Sequence, residues 1–348
     1  MKILFLPNWD VHKLNQDDPL IQSPNKQVRN QAYWFFRFFK DLPDVTIIDR
    51  QKKNILHLFE TKAIKFYIYQ ALRAFFNRDN FDIVISHGAQ SGLFYSLLRG
   101  LSSKKSMPKH IIIDVGGLNG GRTNKAEVAF LRFALKSKPA IIYHSSIQKE
   151  LYEKVYPKQI LNSKFIRFGV NINEFTPMDV DSENYILSFG YAKRDYKTLL
   201  SSWRSVESST KLHIVGDTSL EDQEEVVLIP KVNVFELKQH IAKSLFVVIP
   251  LPLFNYSYGQ MSFLQSMAMG KCVIVTKTPS SIDYLEEGNG AFFVDPYDEL
   301  DMTNKINLLL ENKDKLKKWG QRARKYIEEN LNEEIMAKEI DEFILSIK

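Results

Sequence analysis

The sequence predicts an α/β protein built from two open, mostly parallel sheets with helices on both faces. Three observations lead there. Short apolar runs alternate with longer stretches of helical spacing along nearly the whole chain, and a glycine-punctuated segment, Ser257 to Thr276, passes from turn to helix to apolar strand. The length of 348 residues exceeds one small core and suits two domains of roughly 150 to 170 residues each. Alternation of strand and helix marks parallel βαβ units, whose strands, covered on both faces, read as continuous apolar runs.

Taken in order, the first half carries predicted strands at Lys2 to Leu6, Val45 to Asp49, Asp82 to Ser86, His110 to Asp114, Ala140 to Tyr143 and Lys164 to Arg167. Helical patterns fall between them at Gln27 to Lys40, Thr61 to Asn77, Ser91 to Gly100 and Asn124 to Lys136. The second half repeats the plan with strands at Tyr185 to Phe189, Lys211 to Val215, Val226 to Leu228, Leu245 to Pro250, Cys272 to Thr276 and Ala291 to Val294. Phe168 to Pro177 and the polar run Met178 to Asn184 form the hinge. From Glu299 on, the spacing of Leu308, Leu309, Leu316, Trp319, Ala323, Tyr326 and Ile327 predicts helix. The expected domains are residues 1–170 and 171–330, with a C-terminal helix over 331–348 that has the option of crossing back to the first domain. Such sheets place ligands in the crevice beyond the carboxyl ends of their strands.

With 44% hydrophobic and 25% charged residues, the composition is that of a soluble globular protein. No apolar run approaches the roughly 18 residues of a membrane span, and Pro7 and Asp10 interrupt the first strand before it could act as a signal peptide. A cytoplasmic protein is expected, with peripheral attachment at the inner face of the cell membrane as an option. The lone Cys272 has no disulfide partner and no metal-ligand spacing around it, and is expected to be inert.

Charge is unevenly distributed. Residues 1–170 hold 27 Lys and Arg against 13 Asp and Glu, a balance of +14, which leaves −8 for the rest of a chain whose total is +6. A half this basic suggests an anionic membrane surface or another polyanion, with a merely solvated surface as the plain alternative. Two stretches there, Arg29 to Lys40 and Thr61 to Arg78, mix aromatic and basic residues. Their rings either lie exposed at a bilayer interface or pack beneath the sheet.

In Ser257 to Thr276, the residues Tyr258, Gly259, Gln260 and Ser262 sit where a loop becomes a helix. Unpaired backbone N–H groups and the positive end of the helix dipole converge there, which suits a diphosphate. Gly270 is expected to end the helix as a left-handed cap.

FGVNINEFTP (Phe168 to Pro177), YILSFGYAKRDYKTLL (Tyr185 to Leu200), SYGQMSFLQSMAMGKCVIVT and SSIDYLEEGNGAFFVDPYD (Ser280 to Asp298) together resemble the nucleotide-sugar glycosyltransferases of the two-Rossmann GT-B fold. The likeness is to the large retaining family that builds glycolipids and surface polysaccharides. It covers about residues 165–330, and the first half only in strand order. It implies a metal-independent enzyme without cofactor that moves a hexose from UDP- or GDP-sugar to a lipid-linked or saccharide acceptor.

By the same resemblance Gly190, Lys193 and Arg194 meet the sugar diphosphate, with Arg194 stabilising the leaving group. The plain alternative for Arg194 is a surface turn in which it pairs with Asp195. The two glutamates that the family usually carries eight positions apart fall on Ser257 and Gln265. Gln265 keeps the means to hydrogen-bond a ribose diol, whereas Ser257 brings no charge, which opens the question of retaining against inverting chemistry. Donor binding thus falls to Gly190, Lys193, Arg194, Ser257, Tyr258, Gly259, Gln260, Ser262 and Gln265. Asp114, where relatives often carry histidine, either serves as general base or caps the glycine loop Asp114 to Arg122. His87 and His12 have the same two readings, catalytic or structural. Two other functions stay open: an inactive sugar-nucleotide or glycan-binding subunit, motivated by the absent glutamates, and a DNA-modifying glucosyltransferase, weakened because the basic residues are spread along the chain.

Overall fold

The computed structural model describes residues 1–15, 23–50, 60, 66–104, 106–118, 124–220 and 223–347. It divides into two compact units, one comprising Met1–Arg167, Asn255–Ser257 and Glu334–Lys348, the other Phe168–Phe254 and Tyr258–Glu333.

The first unit is built on strands β1 (Lys2–Leu6), β4 (Asp44–Ile47), β5 (Ile83–His87), β6 (Lys109–Asp114), β7 (Ala140–Tyr143) and β8 (Ser163–Phe165). They pair in the order β4-β1-β5-β6-β7-β8, every pair parallel. Ile3 to Leu6 and Ile111 to Ile113 are wholly buried, as strands covered on both faces must be. Helices α1 (Ile68–Asn77), α2 (Ala89–Leu101), α3 (Lys125–Ala134) and α4 (Ile147–Val155) follow the strands. Strand order reverses between β1 and β5, so the loops after these two strands, Pro7 to Trp9 and Gly88, open at the switch point.

The helix expected over Gln27 to Lys40 does not form. β3 (Lys26–Val28) pairs with β2 (His12–Leu14), and only a short 3-10 turn, Trp34–Phe38, follows. Tyr33, Trp34, Phe35 and Phe36 are all buried, and four consecutive residues cannot all face the core from one stripe of an α-helix. The backbone unwinds to seat them, with Trp34 at φ 46, and their rings surround Phe5 at centroid distances from 5.4 to 6.5 Å. For this stretch the buried reading holds and the bilayer reading is corrected. The helix expected from Thr61 starts at Ile68, residues 61–65 lying outside the described residues.

The second unit contains β9 (Tyr185–Phe189), β10 (Lys211–Val215), β11 (Val226–Ile229), β12 (Val247–Ile249), β13 (Val273–Thr276) and β14 (Ala291–Val294). Their order is β11-β10-β9-β12-β13-β14, again all parallel, with the reversal between β9 and β12. Helices α5 (Tyr196–Trp203), α6 (Val234–Lys243), α7 (Gln260–Ala268), α8 (Pro279–Ile282), α9 (Glu299–Glu311) and α10 (Lys313–Asn330) flank this sheet. Local signals place them. Asp195 caps α5, Asn233 and Glu236 form a capping box on α6, and Asp298 caps α9, each cap being worth about 1 kcal/mol. The α7 C-terminus closes as a Schellman motif: Gly270 has φ 73, and Gly270 N and Lys271 N donate to the carbonyls of Met267 and Ser266. Cys272, just ahead of β13, is buried, and burial pushes its thiol up to about 12, so the thiolate needed for reactivity is absent near neutrality. The last helix, α11 (Glu333–Ser346), belongs from Glu334 on to the first unit, where Asp341 accepts from the Lys40 N–H at 2.9 Å.

Candidate active site

At the switch point of the second unit the turn after β9 meets the helix that follows β12. Gly190 opens this turn at φ 137, and a Cβ there would stand 2.5 Å from the Arg194 guanidinium. Arg194 therefore lies flat on Gly190. Its Nε donates to Phe189 O at 3.1 Å, Nη1 to the carbonyls of Ala192 and Lys193 at 3.2 Å, and Nη2 to Ser262 Oγ at 2.6 Å. Burial lowers the Arg194 pKa. Among the described residues no carboxylate pairs with it, because Asp195 instead accepts from Thr198 N at 3.2 Å and Thr198 Oγ1 at 2.6 Å. The surface pair Arg194–Asp195 is not formed. A guanidinium drawn out of water without a counter-ion is costly, and an arriving anion removes that cost.

Ser262 belongs to the first turn of α7, whose cap is Gly259 at φ 80. A Cβ on Gly259 would come within 2.7 Å of Leu251 Cδ2, so the turn requires glycine, and glycine brings no side-chain acceptor to the amides at the helix start. These amides and Arg194 present positive charge toward the same turn. Gln265, three residues along from Ser262 and so on the same face of α7, is half-buried, and its amide makes no hydrogen bond with another described residue. Lys193 is exposed, with φ 56, and holds its amine 5.4 Å from the Phe254 ring.

Other expected donor contacts already have protein partners. Tyr258 is buried with its hydroxyl donating to Pro252 O, and Gln260 donates to Ser280 Oγ at 2.7 Å, which also accepts from Tyr258 N at 3.4 Å. Ser280, which shapes this loop, was not singled out from the sequence, and no local signal marks it: it reaches the turn from 20 and 22 positions away. Ser257 is half-buried and groups with the first unit. The structure thus unites Gly190, Arg194 and Ser262 in one cluster, sets Gln265 on the same helix, and ties Tyr258 and Gln260 to the wall behind.

In the first unit, Asp114 ends β6 with no exposed surface. Its Oδ1 accepts from the N–H groups of Gly116, Gly117 and Leu118 at 3.2, 2.7 and 3.2 Å, and its Oδ2 from Tyr152 OH at 2.6 Å and Gln148 Nε2 at 3.3 Å. Burial raises its pKa against the lowering by these donors. This is the geometry of the loop-capping reading; general-base work would require Asp114 to surrender one of these bonds to an acceptor hydroxyl. Asn119 to Arg122 of the glycine loop lie outside the described residues. Gln148 and Tyr152, one turn apart on α4, were missed because only the fold brings them to Asp114.

His87 ends β5 at the switch point, buried, with its ring centroid 4.6 Å from Trp9 and 5.8 Å from Trp34. Burial, with His144 nearby, pushes its pKa down to about 3. The imidazole is neutral, and its Nδ1 has no hydrogen-bond partner among the described residues. His12 is exposed on β2.

Among the described residues no three His, Cys, Asp or Glu side chains gather as a metal site, and no helix is long and apolar enough to cross a membrane. An Asp-x-Asp triplet, Asp179 to Asp181, sits exposed in the connection ahead of β9.

Comparison with known proteins adds three findings. Residues 178–326 match the model for glycosyl transferases group 1. No sequence among curated proteins matches. Solved structures share the fold across the full length: a sucrose-phosphate synthase of Thermosynechococcus elongatus at 16% identity and TM-score 0.67, covering 99% of this chain and 98% of that one; HepE of Anabaena in complex with UDP and glucose, at 14% and 0.68, covering 100% of both; and the lipopolysaccharide outer core galactosyltransferase WaaB at 14% and 0.60, covering 99% of both. The chain has the two-domain GT-B fold of these structures, and over residues 178–326 it is similar to the group 1 glycosyl transferases.

Proposed function

We propose that this protein transfers a hexose from a nucleoside diphosphate sugar, UDP- or GDP-linked, to a saccharide or lipid-linked acceptor in the making of surface polysaccharide or glycolipid. The observation that carries the reading is Arg194, partly withdrawn from water, without a carboxylate partner among the described residues, and bonded to Ser262 at the α7 N-terminus. Support also comes from HepE, whose structures hold UDP and UDP-glucose, and from WaaB, named as a galactosyltransferase. In this reading the diphosphate lies against the α7 amides, with Gly190 giving its backbone room. Arg194 turns its fork from Ser262 toward the leaving phosphate as negative charge grows there, contributing about 1.5–3 kcal/mol through charge-assisted bonds. Gln265 holds the ribose hydroxyls.

On the acceptor side, neutral His87 offers a hydrogen bond and Asp114 fixes the glycine loop. Metal independence and a cytoplasmic location are parts of the same proposal. A second reading, an inactive sugar-nucleotide-binding subunit, is favoured by one observation, the replacement of both usual glutamates by Ser257 and Gln265. A crystal soaked with UDP or GDP tests the placement: diphosphate density between the Gly190 turn and the Gly259 turn is expected, and nucleotide found elsewhere refutes it. Turnover or slow hydrolysis of a sugar nucleotide then separates enzyme from inactive subunit.

A further inference from the structure

Helix α3 buries one stripe and leaves a second apolar stripe in water. Leu131, Ala134 and Leu135 face the core, whereas Ala126, Ala129, Phe130 and Phe133 are exposed, the two rings by 44% and 42%. Positions 126, 129, 130 and 133 follow the i, i+3, i+4, i+7 spacing of a continuous helical face. A row of this kind, unlike a scattered apolar residue, marks a surface meant to be covered.

Cations border the row. Lys125 and Arg132 are exposed beside it, and Lys136, also exposed, holds its amine over the Phe133 ring at 4.7 Å from the centroid. Arg132 Nε donates to Val155 O at 2.8 Å and so fastens α3 to the end of α4. Residues 125–164, which include both helices, contain eight Lys and Arg against three Asp and Glu. We infer that this face of the first unit docks on an anionic phospholipid bilayer, with Phe130 and Phe133 entering the headgroup region and the surrounding cations meeting lipid phosphates. Exposed rings beside exposed cations suit a bilayer interface. A protein partner fits less well, because the centres of protein interfaces are depleted in lysine, and a nucleic acid would leave the apolar stripe unused. The inference stands apart from the nucleotide reading, since none of its residues lies in the second unit.

The test is co-sedimentation of the full chain with vesicles of phosphatidylcholine alone and with about a third phosphatidylglycerol, at an ionic strength of about 0.1 M. Binding to the anionic vesicles is expected, and much less to the neutral ones. Phe130→Ser with Phe133→Ser should lower the partition coefficient by roughly ten-fold, and Lys125→Gln and Lys136→Gln by about five-fold each. Thermal melting checks the fold of each variant; the lysine variants change only exposed side chains and decide the matter should the phenylalanine pair fail to fold. Absence of binding, equal binding to both vesicle types, or binding indifferent to the lysine changes or to a folded phenylalanine pair would overturn the inference.

Discussion

Arg194 joins the two halves of the proposed donor site, since its guanidinium rests on Gly190 and its Nη2 reaches Ser262 on α7. Arg194→Ala should leave the melting temperature near that of the parent and lower transferase efficiency by roughly 10- to 150-fold, the equivalent of about 1.5–3 kcal/mol. Arg194→Lys should recover only part, because an ammonium lacks the planar fork that matches phosphate oxygens. Equal activity of Arg194→Ala and parent at subsaturating donor removes the residue from the site. Gln265 tests the nucleotide itself. Its amide, unpartnered among the described residues, suits the ribose diol, so Gln265→Ala should weaken UDP or GDP binding by about the 0.5–1.5 kcal/mol of a neutral hydrogen bond, while Gln265→Glu should bind comparably. Unchanged affinity by calorimetry in Gln265→Ala would sink the placement of ribose along α7. Both residues could be singled out from the sequence because they sit in short motifs. Tyr152, Gln148 and Ser280 were not, since each acts through a contact made only after distant segments meet.

Elements read well where burial on both faces imposes one pattern. Tyr185–Phe189, Lys211–Val215 and Ala291–Val294 carry the same bounds in sequence and structure, each bracketed by turn residues. Reading failed at Gln27 to Lys40, where a dense aromatic run mimics helical spacing but its rings have to enter the core consecutively. Helix α7 depends on its first turn more than on its length. A left-handed φ of 80 at Gly259 and the neighbouring Leu251 side chain leave no room for a Cβ, so Gly259→Ala has to shift the turn that carries the amides at the start of the helix. The strain costs about 1–3 kcal/mol. The expected outcome is a modest drop in melting temperature and a loss of UDP affinity of more than about ten-fold, which 1.4 kcal/mol would produce. Calorimetry that finds the parental affinity in a folded Gly259→Ala protein shows that the α7 N-terminus does not hold the phosphate.

Across the whole molecule, the parallel βαβ plan of both sheets was foreseeable from the alternation of strand and helix, whereas the way charge and imidazoles are distributed between the units acquires meaning only with burial. His87, His110 and His144 all belong to the first unit and all are buried. Burial drives each downward: His87 to about 3, with help from His144, His144 itself to about 4, and His110 well below its ordinary value, with Arg99 adding to the effect. In the unfolded chain these groups take up protons below about pH 6.5. The stability that they contribute is therefore fully present above that pH and is lost as pH falls toward the folded values, by about 1.4 kcal/mol per pH unit for each. Asp114, raised by burial, works in the opposite sense by at most one proton, so a net slope of about 3 kcal/mol per pH unit is expected for the first unit. His213 and His240 of the second unit are only half-buried, and their lowered values count for less. Hydrogen exchange read by mass spectrometry, corrected for intrinsic rates, should show β1, β5, β6 and β7 losing protection at a higher pH than β9, β12 and β13. His87→Phe, which places a ring among Phe5, Trp9 and Trp34, should flatten the acid loss in the first unit by about 1.4 kcal/mol per pH unit. If the second unit opens first, or His87→Phe leaves the acid slope unchanged, the buried imidazoles do not set the acid stability of this fold.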